Sequence, residues 1–272
     1  MFLIIHLLNL ISVVFFNSTN DRAIPFNISN PKLKIELSKE LKEISGLTWL
    51  GNNEIGAVQD EAGIMYILEA SSGEIKNKIK FSLPGDFEGI ALAGTCIYAI
   101  TSSGMLYYFD RNNPNDINRI KTPLSWRNDA EGLCYDEENE QLLVVCKENG
   151  SISDSKFKGK SIFSIRLSDH YFSKTPLVTI KKKELESFKK VEKFKPSAIA
   201  IDPLTKDVYI LASVGKILIV LNPDYSIKAV IKLPSKLYAQ PEGICFSQKG
   251  DLFISNEGQK DKANFYHLKR SR

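Results

Sequence analysis

Three glutamates, Glu88, Glu131 and Glu242, each stand before a glycine and an aliphatic residue in short segments that resemble one another. The full set is Glu43-Ile-Ser-Gly-Leu47, Asp86-Phe-Glu-Gly-Ile90, Asp129-Ala-Glu-Gly-Leu133, Lys195-Pro-Ser-Ala-Ile199 and Gln240-Pro-Glu-Gly-Ile244. One column therefore reads Ser45, Glu88, Glu131, Ser197 and Glu242, and two residues earlier stand Glu43, Asp86, Asp129, Lys195 and Gln240. Side chains two apart on a strand share a face, so both columns would line the same surface. Carboxylates converging there repel one another strongly unless something neutralises them. A hard cation such as calcium, which takes about six to eight oxygen ligands, suits this donor set. Zinc or copper would ask for imidazole or thiolate, and His6, His170 and His267 all fall outside the columns. The same residues can instead accept hydrogen bonds from backbone amides at the strand entrances, and both uses can hold for different members of the set.

Whether these residues meet at all depends on the elements that carry them. The fourth residues of the five segments are spaced by 43, 43, 66 and 45 positions, and a period in the low forties is one four-stranded propeller blade. After each segment comes a second apolar run ending in a turn glycine, namely Gly63, Gly104, Gly150, Gly215 and Gly258. Glycine there supplies the positive φ of a tight hairpin. A third strand follows in every repeat and a fourth in the first four. The last repeat runs out of chain after Asn264 to Leu268, and Lys32 to Leu37 is a strand-like segment with no repeat of its own. We therefore expect an all-β, five-bladed β-propeller over residues 32–272, closed by the N-terminal strand joining the last blade. Six blades are the alternative, hidden in the long third repeat, whose extra residues lie in Ser151 to Lys160 and in Glu184 to Phe194, the latter with room for one short helix. First strands line the channel of a propeller, so the column of Glu88, Glu131 and Glu242 becomes a ring around the axis. The turn carboxylates Asp60, Glu61, Glu148 and Glu257 are expected near one mouth of that channel.

Composition narrows the class. The net charge of +4, from 36 basic and 32 acidic residues, is mild, and the lysines of Lys181-Lys182-Lys183 and Lys189-Lys190 read as solvated loops, which argues against a nucleic-acid partner. The first sixteen residues are almost wholly apolar, and residues 1–22 read as a signal peptide or an N-terminal membrane anchor, although a positive leading region and a small-residue cleavage site are missing. Export to the periplasm or cell envelope, with a possible plasma-membrane tether through residues 1–16, is the working expectation. Cys96, Cys134, Cys146 and Cys245 sit inside apolar runs and read as buried thiols, with a Cys134 to Cys146 bridge open in an oxidising compartment.

Taken together, the five segments resemble the bacterial SdiA-regulated proteins, also called calcium-regulated β-propeller proteins, over roughly Leu33 to Leu268. The resemblance implies a five-bladed propeller distantly related to NHL-repeat propellers, exported or held at the envelope, with calcium at a shared site. Carried to this chain, it implies Glu88, Glu131 and Glu242 as metal ligands with Glu43, Asp86 and Asp129 nearby. Lys195 and Ser197 break the pattern in the fourth repeat. No enzymatic activity follows from it. The expected function is a calcium-binding envelope protein that offers a propeller face to a small molecule or protein. A metal-dependent hydrolase of lactonase, esterase or phytase type, using the channel carboxylates, is the alternative. A third reading is an interaction platform with an unmetallated channel. No Gly-x-Ser-x-Gly elbow or histidine beside a repeat serine points to nucleophilic catalysis.

Overall fold

The computed structural model describes residues 24–152 and 158–271. The expected export segment and tether lie outside these residues, as does the middle of the Ser151 to Lys160 insertion. Among the described residues no helix is long and apolar enough to cross a membrane.

Among the described residues, short β-branched and aromatic runs broken by turns give twenty strands, grouped as five four-stranded antiparallel sheets. The closing strand is β1 (Leu33–Glu36). Blade 1 holds β2 (Ile44–Gly51), β3 (Glu54–Gln59), β4 (Ala62–Glu69) and β5 (Ile75–Lys80). Blade 2 holds β6 (Phe87–Ala93), β7 (Cys96–Thr101), β8 (Met105–Asp110) and β9 (Asn113–Lys121). In blade 3 are β10 (Ala130–Asp136), β11 (Gln141–Cys146), β12 (Lys160–Arg166) and β13 (Val178–Ile180). Blade 4 comprises β14 (Lys195–Ile201), β15 (Val208–Val214), β16 (Ile217–Leu221) and β17 (Ile227–Lys232). Blade 5 is β18 (Pro241–Phe246), β19 (Leu252–Asn256) and β20 (Asn264–Leu268), completed by β1, which pairs antiparallel with β20 from Leu33 opposite His267 to Glu36 opposite Asn264. The ring is thus five-bladed, and the closure expected from the repeat is present. The extra length of blade 3 holds the one-turn helix α1 (Lys182–Glu186), which starts before the expected Glu184.

Five apolar layers, one at each junction between neighbouring blades, make up the core. Between blades 1 and 2, Phe81 packs on Phe87 and Phe109 at centroid distances of 5.0 and 5.6 Å, and Trp49 stacks on Phe253 at 5.7 Å where blade 1 meets blade 5. Ile24, Phe26 and Ile28 fill the layer between blades 4 and 5, so the packed body begins ahead of Lys32. The repeat glycine has a packing reason: a Cβ on Gly89 would lie 2.7 Å from the Leu133 amide nitrogen, and one on Gly132 would lie 2.6 Å from that of Ile199. The bare backbone lets neighbouring inner strands touch around the axis. The turn glycines are less uniform than expected. Gly104 and Gly215 have positive φ (83° and 105°), whereas at Gly63 the demand is closeness, with Ser82 Cβ only 2.5 Å from a built Cβ.

Two expectations need correcting. The Cys134 to Cys146 bridge does not form, because Cys134 sits opposite Leu143 while Cys146 sits opposite Ala130, and all four cysteines are free thiols. Burial pushes the Cys134, Cys146 and Cys245 thiols well above the ordinary range, which suits inert packing. Nor does plain alternation govern the inner strands. Each of the five has a shift of register around its ring residue, as where Ala130 pairs with Cys146 and Gly132 with Val145, leaving Glu131 without a partner on β11. A bulge of this kind re-aims a side chain, and here it recurs at the same repeat position in every blade.

Candidate functional site

At the end of the channel where the inner strands begin, one hydrogen bond recurs around the ring. The Asp60 amide donates to the Glu43 carbonyl at 3.2 Å, Ser102 to Asp86 at 2.9 Å, Lys147 to Asp129 at 2.8 Å and Glu257 to Gln240 at 3.0 Å. In blade 4 the corresponding pair is Lys195 with Val214. The bond fixes the end of each second strand beside the start of the first. Asp60, Ser102, Lys147, Val214 and Glu257 are therefore equivalent, and they form a further layer at the mouth.

Blades 1 and 5 combine to make the strongest acidic feature. Ligand oxygens of Glu43, Asp60 and Glu257 all lie within 4.8 Å of one another, and Asp60 Oδ1 is buried without a hydrogen-bond partner. Burial, then Glu43, Glu61 and Asp86, pushes the Asp60 carboxyl up to about 6. Glu257 is pushed up to about 8, first by burial and then by Glu242, Glu43 and Asp60. The Gln240 side-chain amide donates to Glu257, and Lys42 reaches Glu43 at 3.1 Å from an exposed position. Such a constellation holds surplus negative charge that a divalent cation would relieve.

The ring beneath it is organised differently. Glu131 is 1% exposed and accepts from Lys147 Nζ at 2.6 Å. Glu242 is also buried, and Glu88 is partly so. Burial is the leading cause that raises all three carboxyls, and Lys147 opposes it in each. Glu131 and Asp86 add to the rise at Glu88. For Lys147 itself burial favours the neutral amine, but Glu131, Glu242 and Glu88 outweigh it and hold the ammonium above its usual range. Of the remaining expected ligands, Asp86 is exposed and accepts from the Ser102 hydroxyl, and Asp129 is half-buried with its carboxyl raised by burial. On the blade 3 to blade 4 side, Glu148 is shared by Lys195 and by Lys160, the latter at 3.8 Å.

Of the six residues expected from the first-strand columns, Glu43 alone enters the three-carboxylate group. Its partners Asp60 and Glu257 come from the set expected near the mouth. Lys147 was not anticipated. The signal for it was in the sequence, since the residue where each second strand ends repeats with the same period as the glutamates.

Farther along the channel, past the glutamate ring, an aliphatic ring is joined by polar residues such as Asp136, Glu138 and Lys206. A cavity of about 200 Å³ is bounded there by residues that include Leu47, Ile90, Leu133, Ile199 and Ile244.

No curated protein matches the chain. Among solved structures, the glutaminyl cyclase of Myxococcus xanthus aligns with a TM-score of 0.62 at 14% identity, covering 89% of this chain and 95% of that one. A chain of a nidogen–laminin complex aligns at 0.53 and 16% identity, covering 81% and 74%. A luciferin-regenerating enzyme aligns at 0.50 and 13% identity, covering 84% and 80%. At these identities the likeness is one of fold, and two of these three structures carry the names of enzymes. The sequence relation is more specific: the SdiA-regulated family model matches residues 26–269, which include all five blades and both partners of the closing strand pair. By that match the chain belongs to the SdiA-regulated family.

Proposed function

We propose that this SdiA-regulated propeller is a calcium-binding protein whose metal sits at the acidic mouth, with Glu43, Asp60 and Glu257 as protein ligands. The approach of three carboxylates within 4.8 Å, one of them with a buried and unpartnered oxygen, carries this reading. The donor set is all oxygen, as calcium prefers, and has no imidazole or thiolate for zinc or copper. Asp86, which acts on Asp60, and the half-buried Asp129 add negative charge beside the mouth that draws a cation there. The surface around the metal is the face offered to a small molecule or a protein partner.

Export to the periplasm or envelope belongs to the same proposal. Calcium modules that work outside the cytosol bind at about 10⁻⁴ to 10⁻³ M, which sets the concentrations to test. Calcium titration followed by thermal melting tests the metal. A ligand bound only by the folded state at a hundred times its Kd stabilises by about 2.7 kcal/mol. No rise of the midpoint at millimolar calcium, and no fall on chelation, would refute the site. Fractionation and N-terminal sequencing test export, and a chain found only in the cytosol with Met1 intact would refute it. A panel of lactone, aryl-ester and phytate substrates separates a binding protein from a metal-dependent hydrolase. Turnover that disappears in Asp60→Asn would make the mouth catalytic.

A further inference from the structure

We infer that Lys147 is the resident cation of the inner glutamate ring, and that its ammonium excludes a divalent ion from the ring and so confines metal to the mouth. The first half stands on the ion pair alone; the second rests on the metal reading above.

Four observations carry it. The Nζ of Lys147 lies 2.6 Å from Oε1 of Glu131, a residue almost wholly withdrawn from solvent, so the contact is a charge-assisted hydrogen bond between ions that cannot both be hydrated by water. The Lys147 side chain is only 26% exposed, and its backbone amide is bonded to the Asp129 carbonyl, so the stem enters the ring from a fixed point at the end of β11. Glu131 is its contact partner, and Glu242 and Glu88 favour the charged amine from farther away. Finally, the position is differentiated among blades: where blades 1 and 5 carry Asp60 and Glu257, blade 3 carries the lysine.

Exclusion follows from distances. Calcium bonds to a carboxylate oxygen at about 2.3–2.6 Å. An ion on the Glu131 carboxylate would stand within a few ångströms of an ammonium bound to the same group, and like charges so close in a poorly solvated channel repel strongly. A tethered ammonium also differs from a metal in one respect that matters to folding. It compensates the Glu131 carboxylate at any calcium concentration, including none.

The test uses the full chain, stripped with chelator, with bound calcium counted by equilibrium dialysis and mass spectrometry of the metal. The wild type is expected to bind one ion at the mouth. K147M is expected to bind two, K147R one, and K147M/E131Q one, because the second ion needs Glu131. If K147M is unfolded in chelator, millimolar calcium is expected to refold it, since the ion then replaces the ammonium. A K147M chain that binds no more calcium than wild type, or that calcium cannot refold, overturns the proposal. Failure of the metal reading looks different: the wild type would bind no calcium. The ring assignment is then decided in chelator, where K147M is expected to melt below wild type and K147M/E131Q to recover part of the loss. Additive effects of the two substitutions would overturn it.

Discussion

Blades 1 and 5 meet the channel mouth with Asp60 and Glu257, whereas blade 3 presents Lys147 at the same hydrogen-bonded position. All three share the amide-to-carbonyl bond at this position, and the side chain it carries changes sign from one blade to the next. On one side of the axis carboxylates gather with only the exposed Lys42 at their edge; on the other the counter-ion is held against a buried partner. A propeller separates the two tasks well, because each repeat fixes a side chain at an equivalent point and the chemistry there can change blade by blade. The buried pair supplies its own compensation, while the three carboxylates approach one another with Asp60 Oδ1 left without a hydrogen-bond partner.

That contrast makes opposite predictions for removing a carboxylate on each side. Glu131→Gln leaves the Lys147 ammonium short of its main partner, and the loss is expected to be about 3 kcal/mol, measured by urea unfolding. No measurable loss would show that Glu88 and Glu242 hold the lysine without it. Asp60→Asn should act in the other direction. In chelator it relieves repulsion and is expected to raise the melting midpoint by about 2 °C, while abolishing most of the gain that calcium gives the wild type. A fall of the midpoint in chelator would mean that Asp60 is already satisfied and that the two sides do not differ.

The pH dependence sharpens the same point. Asp60 and Glu257 have folded-state carboxyls raised to about 6 and about 8 from ordinary values of 3.8 and 4.5. The folded chain therefore holds these protons more tightly than the unfolded chain does. The contribution of these two groups to stability in chelator is expected to be lost as pH rises from about 4 through about 8. Calcium, which binds the ionised forms, should flatten that slope, and its apparent affinity should rise over the same window. A melting midpoint independent of pH in chelator would break the comparison. The smallest effect is expected at the equivalent position of blade 4, where Val214→Thr should stay within about 0.5 kcal/mol and leave calcium binding unchanged.

Much of this was legible in the sequence because a propeller writes its geometry as a period. The Glu-Gly columns fixed the blade number, the inner ring and the closing role of residues 33–36, since equivalent residues must be equivalent in space. What escaped was the pairing between columns. Lys147 and Glu131 belong to different strands of one hairpin, and Glu43, Asp60 and Glu257 come from the two blades joined last, at opposite ends of the chain. Their approach depends on the ring being closed and on a bulge at each inner strand, and neither has a signature in the composition of any one repeat. The turn glycines illustrate the same limit: all five are needed, but Gly104 for its backbone angle and Gly63 for the space that Ser82 occupies.

The closing strand pair has a mechanical consequence. Leu33 lies opposite His267 at the point where the two strands leave the sheet, so tension applied between the chain ends pulls their hydrogen bonds apart one after another instead of sliding them together. On its own that seam would open at low force, like a zip. The segment before it guards the first tooth: Phe26 is wedged against Tyr209 and Phe246, Tyr238 holds the Ile28 carbonyl, and the Ser271 amide holds that of Pro25. Tension between residues 24 and 271 would have to extract this aromatic wedge before the ring could unfasten.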